Sequence, residues 1–322
     1  HRVATNTGIL YARMAITVFI SLYATRLTLT ALGIEDFGLY NLVGGVIAML
    51  GFLNASMASA TQRFMSFAQG EGDLDKVKRI FNMSAQLHLG IAVAVVIVFE
   101  VAGYFFFNGL LNIELARLPI AKLVYQFMVA STLFTIISVP YEAVITSHEN
   151  MLFFAITGVI ESVLKLAIAL YITYGTLALP THLSYTSEHL DITFSTFDNL
   201  VIYSLLMALL TVFMLLLKRL YCHKKYPECE LNFKKHYDKP LLKQISSFAG
   251  WSFMSSAGIM IGNYGQGLVM NIFFGTTVNA AQGIANQVSG QLGSLAGAMQ
   301  KALSPLITKS EGGGNRALML KA

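Results

Sequence analysis

Of the charged side chains that fall inside runs otherwise apolar, the informative ones are Arg13, Arg26, Arg63, Glu100, Glu142, Glu161, Lys165 and Lys301. An ionisable group held at bilayer depth costs about 2.5–3.5 kcal/mol on insertion scales, so each needs a partner, a wet cavity or a function. The cations offer a place to hold an anion, and guanidinium does so with paired, directed N–H groups. The carboxylates offer ion pairing or coupling to a proton or sodium. Glu161 and Lys165 stand four apart, one turn of a helix, and are expected to pair with each other. Arg26 falls within a turn or two of a span end and is placed to snorkel. Arg63 and Glu142 come near span ends, where solvation or capping accounts for them as well as function does. Arg13, two turns inside its span, and Lys301 are harder to dismiss. Glu100, between Phe99 and Val101, is the carboxylate best suited to carry a coupled ion.

The elements that position these groups are membrane helices. Of 322 residues 55% are hydrophobic and only 12% charged, against about 25% charged in soluble domains. With a mean hydropathy of +0.61, a soluble enzyme, a disulfide-stapled secreted domain and a disordered chain are all excluded. Eight apolar runs are long enough to cross a bilayer: 7–32, 38–66, 84–107, 119–146, 151–175, 198–218, 245–273 and 278–306. None alternates like a barrel strand, and helices satisfy their own amides, so the chain reads as an all-α polytopic membrane protein.

Lys and Arg set the expected orientation. Lys76, Lys78 and Arg79 follow the second run, and a dense set from Lys218 to Lys243 follows the sixth. Residues 176–197 carry no Lys or Arg, and Ile34-Glu35-Asp36 is acidic. The basic loops and the N-terminus are therefore expected in the cytoplasm, which explains the net charge of +5 without nucleic acid. Asp238-Lys239-Pro240 reads as a capped start of an interfacial helix. Cys222 and Cys229, seven apart with lone histidines nearby, do not have the close paired spacing of a zinc site; neither metal nor cofactor is expected. Walker and Ser-His-Asp signatures are absent. Amides such as Asn54, Gln62, Gln282, Asn286 and Gln300 gather in the first, second, seventh and eighth runs. They suit interhelical hydrogen bonds or a wet cavity.

Sliding the chain by 242 residues aligns it with itself. Gly8 meets Gly250, Leu32-Gly33 meets Phe274-Gly275, Ala60 meets Ala302, Ser66 meets Thr308, and Gln69 to Asp73 meets Glu311 to Asn315. Six spans separate the copies, an even number, so the repeats are parallel and related by an axis along the membrane normal. Only two helices of the second copy are present, and His1 is not an initiator, so the chain is expected to be a fragment. The expected organisation is a complete six-helix lobe (1–221), a basic cytoplasmic loop with an interfacial helix (222–244), and the first two helices of a second, truncated lobe (245–322).

The stretch TRLTLTALGIEDFGLYNLVGGVIAMLGFLNASMASATQRFMSFAQGEGD resembles bacterial polysaccharide biosynthesis proteins of the O-antigen flippase type. So do VPYEAVITSHENM, SFAGWSFMSSAG and FFGTTVNAAQGIANQVSGQLGSLAGAMQKALSPLITKS. Those proteins belong to the multidrug, oligosaccharidyl-lipid and polysaccharide exporter superfamily. The resemblance implies two six-helix bundles facing each other in a V. It also implies a non-enzymatic flippase that moves a polyprenyl-pyrophosphate-linked oligosaccharide, an O-antigen or capsule unit, to the outer leaflet of the bacterial inner membrane.

By the same resemblance, cations on the first, second and eighth helices meet the pyrophosphate. Carried over, these are Arg13, Arg63 and Lys301, with Arg26 and Lys165 behind them and Asn54, Gln282 and Asn286 facing the sugars. Membrane lipids and glycosyltransferases or a polymerase of the same pathway are the implied partners of a monomer. Outward movement of two negative charges would gain roughly 4–5 kcal/mol per 100 mV. The rival readings are a cation-coupled multidrug exporter of the same fold and a membrane-embedded sugar or acyl transferase. Basic intramembrane charges weigh against the first, and the lack of a catalytic carboxylate or histidine cluster against the second.

Overall fold

The computed structural model describes residues 2–48, 51–110, 113, 117–175 and 198–315; among these, the side chains of 51–56 and of most of 259–291 fall outside the description. Among the described residues there is no strand. Seven long helices follow in chain order: α1 (Arg2–Ala48), α2 (Gly51–Glu71), α3 (Leu74–Phe105), α4 (Leu118–Ser147), α5 (Met151–Leu170), α6 (Asn199–Lys225) and α7 (Lys239–Gly312). Among the described residues, five stretches are long and apolar enough to cross a membrane: Ala4–Asn41, Leu74–Asn108, Leu118–Ser147, Met151–Gly175 and Asn199–Lys225. The protein is a multi-pass membrane protein. The sequence predicts eight spans; the difference lies in α2 and α7, which are helical where the second, seventh and eighth were expected. α2 carries Gln62, Arg63 and Gln69 among its apolar residues.

Local chemistry sets the element ends. α1 breaks at Gly33 (φ 77°, ψ 172°), a backbone region open to glycine almost alone. Gly33→Ala should therefore cost about 1–3 kcal/mol, read as a lower thermal midpoint in detergent; an unchanged midpoint would mean the bend does not need glycine. Beside this break Arg117 holds Asp36 (3.2 Å) and Asp198 (2.5 Å), tying the bend to the starts of α4 and α6. Asp73 caps α3 by accepting the Lys76 amide (2.8 Å), and Asp238 caps α7 by accepting that of Leu241 (3.0 Å) with Pro240 in the first turn. The cap and proline are as the sequence predicts. Helical structure then continues from Lys239 into the rest of α7.

A straight helix of the 74 residues in α7 would be about 110 Å long. Yet Phe248 packs edge-on against Phe64 of α2 (ring centroids 5.7 Å), while Ser304 donates to Gln62 Oε1 (3.3 Å). Points on α7 that would lie about 84 Å apart on a straight rod thus meet one short stretch of α2, so α7 doubles back as two antiparallel limbs. These occupy the seventh and eighth predicted spans.

The pairing also fixes the repeat axis. Gln62 and Ser304 are 242 residues apart, and so are Gly70 and Gly312. A Cβ on Gly70 would lie 2.0 Å from the Lys309 carbonyl oxygen, and one on Gly312 would lie 2.1 Å from that of Phe67. Equivalent residues of two repeats touch only on the two-fold axis that relates them. Burial agrees: Ala60 and Ala302 are both 1% exposed, and Ser66 and Thr308 are both buried. The fold is a parallel-repeat bundle, with the end of α2 and the end of α7 packed on its axis. Met65, Ile80, Phe81, Met83, Met151 and Ile245 form the core beside this seam, at the end of the bundle that carries the basic loops.

Candidate functional site

Glu142 stands on α4 two residues after Pro140, whose ring removes the amide that would bond the Ile136 carbonyl. Its Oε1 accepts from Lys301 Nζ of α7 (2.9 Å), and its Oε2 from Lys218 Nζ of α6 (3.3 Å). One carboxylate thus joins the first lobe to the second repeat. The Lys301 ammonium also sits 3.8 Å from the centroid of the Phe154 ring on α5, and the Arg13 guanidinium of α1 lies 4.3 Å from the same centroid. Two cations on one aromatic ring gain from its negative faces. Arg13 reaches Phe154 because residue 158 is glycine: a Cβ there would fall 2.2 Å from Arg13 Nε.

The start of α5 is fixed against α6. Asn150 caps it by accepting the Phe153 amide (3.3 Å) and donates to the Tyr221 (2.7 Å) and Tyr226 (3.0 Å) hydroxyls. Burial raises the Tyr226 phenol to about 12, so it stays a neutral partner. His148 contacts Glu228 and stacks on Tyr226 (4.1 Å), which closes the same end. Cys222 and Cys229 are buried free thiols; a hydrogen bond to Cys222 together with burial pushes the Cys229 thiol up, so it stays protonated.

Counting the cations on Phe154 (Arg13, Lys301) and on Glu142 (Lys218, Lys301), three positive charges stand with one carboxylate, an excess of two. The next carboxylate whose field reaches Arg13 is Glu161, and Lys165 holds it at 2.6 Å as the sequence predicts. Arg13 and Lys301, from α1 and α7, thus both lie within 4.3 Å of one ring centroid on α5, a guanidinium and an ammonium gathered at a single aromatic side chain.

The other predicted residues fall elsewhere. Arg26 is exposed thirteen residues further along the first limb of α1, about 20 Å from the level of Arg13. Arg63 does not join Arg13 and Lys301: it lies 5.1 Å from the Phe248 ring in a separate cavity between α2, α3 and the start of α7. Glu100 is exposed and accepts from Gln126 Nε2 (3.2 Å) in a pocket of about 320 Å³ between α3 and α4, with Lys122 and Tyr104. The carboxylate that stands with the cations is Glu142. Gln62 is buried on the repeat axis and hydrogen-bonds Ser66 (2.9 Å) as well as Ser304, an interhelical role. The side chains of Asn54, Gln282 and Asn286 lie outside the described residues. Sequence reading missed Lys218 and Phe154, and it gave Glu142 an end-capping role. The signal for Lys218 was a lysine after the run Leu215-Leu216-Leu217, where an unpaired ammonium is costly.

No family model and no curated protein matches this sequence. Solved structures do match its fold. An outward-facing multidrug resistance MATE family transporter of the MOP superfamily superposes with a TM-score of 0.78 at 14% identity, over 99% of this chain and 66% of that one. A MOP superfamily transporter from Pyrococcus furiosus, whose binding pocket is described as having reverse polarity suggesting a different function, gives 0.79 at 14% identity over the same shares. A Vibrio cholerae MATE transporter in its bent form gives 0.74 at 14% identity, over 99% and 70%. The chain has the MATE-like fold and spans about two thirds of the length of these structures.

Proposed function

We propose that the chain supplies the first lobe and the opening helices of the second lobe of an alternating-access transporter, and that the cargo is anionic, a polyprenyl-pyrophosphate-linked oligosaccharide. Positive-inside bias puts the basic end and the N-terminus at the cytoplasm of a bacterial inner membrane. The observation that carries the anionic reading is the placement of Arg13 and Lys301 on one ring, with two positive charges in excess. Such a site favours a pyrophosphate, which takes paired hydrogen bonds from guanidinium. Glu142 holds Lys301 until the anion arrives, and exchange of partners loosens the contact between the repeats. Enzymatic chemistry is not needed for this work, and the partners are the lipid-linked sugar and the enzymes that make and polymerise it.

A second reading has its own support. The solved neighbours named above include multidrug transporters, which favour cation-coupled drug export at least as strongly. On that reading Glu142 is the coupling carboxylate.

In the full-length protein, Arg13→Gln and Lys301→Gln should each lower surface polysaccharide about tenfold or more, since a charged hydrogen bond contributes about 1.5–3 kcal/mol. Inhibitory concentrations of cationic drugs should not change on overexpression. Unchanged polysaccharide with raised drug tolerance that is lost in Glu142→Gln would reject the flippase and establish the exporter.

A further inference from the structure

A cavity of about 680 Å³ lies where α3 and α7 begin, against the end of α2. Its charged lining is wholly cationic: Arg63, Lys76 and Lys243. Lys76 is shared with Glu71 at 2.6 Å. Arg63 and Lys243 have no carboxylate within 4 Å among the described residues. Aromatic surface supplies the rest. Phe248 lies under the Arg63 guanidinium at 5.1 Å, and Trp251, one turn further along α7, is 74% exposed. None of the residues around Phe154 takes part, so this is a second site, independent of what the transporter carries.

We infer that this cavity binds the phosphate of an anionic phospholipid from the surrounding leaflet. Depth, charge and shape agree. Lys76 and Lys243 lie within the first turn or so of their helices, at headgroup level, where indole rings also settle. Arg63 can grip a phosphate through two N–H groups while the two ammonium groups neutralise it. Lys and Arg beside a membrane surface attract acidic lipid. Trp251 and Met254, 74% and 64% exposed, continue along α7 as an apolar track for an acyl chain. A phospholipid seated here touches α2 of the first lobe and the start of α7 of the second repeat together, and so braces the seam at the basic end.

Trp251 is the sole tryptophan of the sequence, so its selectively excited emission, in nanodiscs whose scaffold carries no tryptophan, reports on this cavity. The full chain in nanodiscs of phosphatidylcholine, titrated with brominated phosphatidylglycerol or with brominated phosphatidylcholine, should show half-quenching at a several-fold lower mole fraction of the anionic lipid. The Arg63→Gln/Lys243→Gln variant should lose that preference, the two quenching curves then coinciding. Arg63→Lys, which keeps the charge, should retain most of it. Equal quenching of the wild-type chain by both lipids overturns the assignment. So does complete loss of the preference on adding millimolar inorganic phosphate, which would make this a site for free phosphate.

Discussion

Glu142→Ala is expected to open the seam between the two repeats. The wild-type carboxylate answers two ammonium groups at once, Lys301 at 2.9 Å and Lys218 at 3.3 Å. Lys218 keeps only 14% of its side-chain exposure, so removing its partner strands a largely buried charge. Breaking a fully buried pair costs about 3–5 kcal/mol. Lys301 is 39% exposed and water screens its share, which lowers the expected loss to about 2 kcal/mol. That is about a thirtyfold shift of the equilibrium toward a loosened basic end. Labelling of a cysteine placed at Ser304 by a water-soluble maleimide should speed up by a similar factor. Adding Lys218→Met should recover part of the loss, because the stranded charge is then gone. A labelling rate unchanged by Glu142→Ala would remove the bridge from the account.

Gly312→Val is expected to have an effect as large by a different route. The added Cβ would sit 2.1 Å from the Phe67 carbonyl oxygen, and the clash is with backbone, which cannot rotate aside. Overpacking of this kind costs about 1–3 kcal/mol. Gly70→Val meets the Lys309 carbonyl in the same way, so either substitution alone should hold the two helix ends apart. The double variant should cost much less than the sum, since one separation relieves both clashes. The proposed transport should fail in each single variant while thermal unfolding of the lobe around Phe81 and Val144 is little changed. Full transport with a valine at either place would show that the close approach is not needed.

The helical class, the repeat offset and the Glu161–Lys165 pair were legible because each is local or periodic. Apolar runs declare a membrane helix whatever it packs against, and a fixed offset of 242 needs only two segments to compare. The Asp238 cap and Pro240 were legible for the same reason, being chemistry within one turn. The site around Phe154 was not. It joins α1, α4, α5, α6 and α7, and no pattern along the chain says that Lys301 will face Glu142 rather than Arg63. Arg63 illustrates the limit. Position on the second helix suggested a partner for Arg13, but the rotation of α2 turns it toward Phe248. In sequence Glu100 read as the coupling carboxylate and Glu142 as a residue near a span end. Only packing separates the one that faces an open pocket from the one that binds two lysines.

The meeting of equivalent residues on one axis is open to a direct measurement. With Cys222 and Cys229 replaced by alanine, Gln62→Cys/Ser304→Cys in the full-length protein in membranes should form an intramolecular disulfide under mild oxidant. The same treatment of Gln62→Cys/Lys309→Cys, displaced by five residues along the second limb of α7, should leave free thiols. Oxidation that links the displaced pair and spares Gln62→Cys/Ser304→Cys would contradict the two-fold seam, and with it the arrangement that brings Lys301 to Glu142.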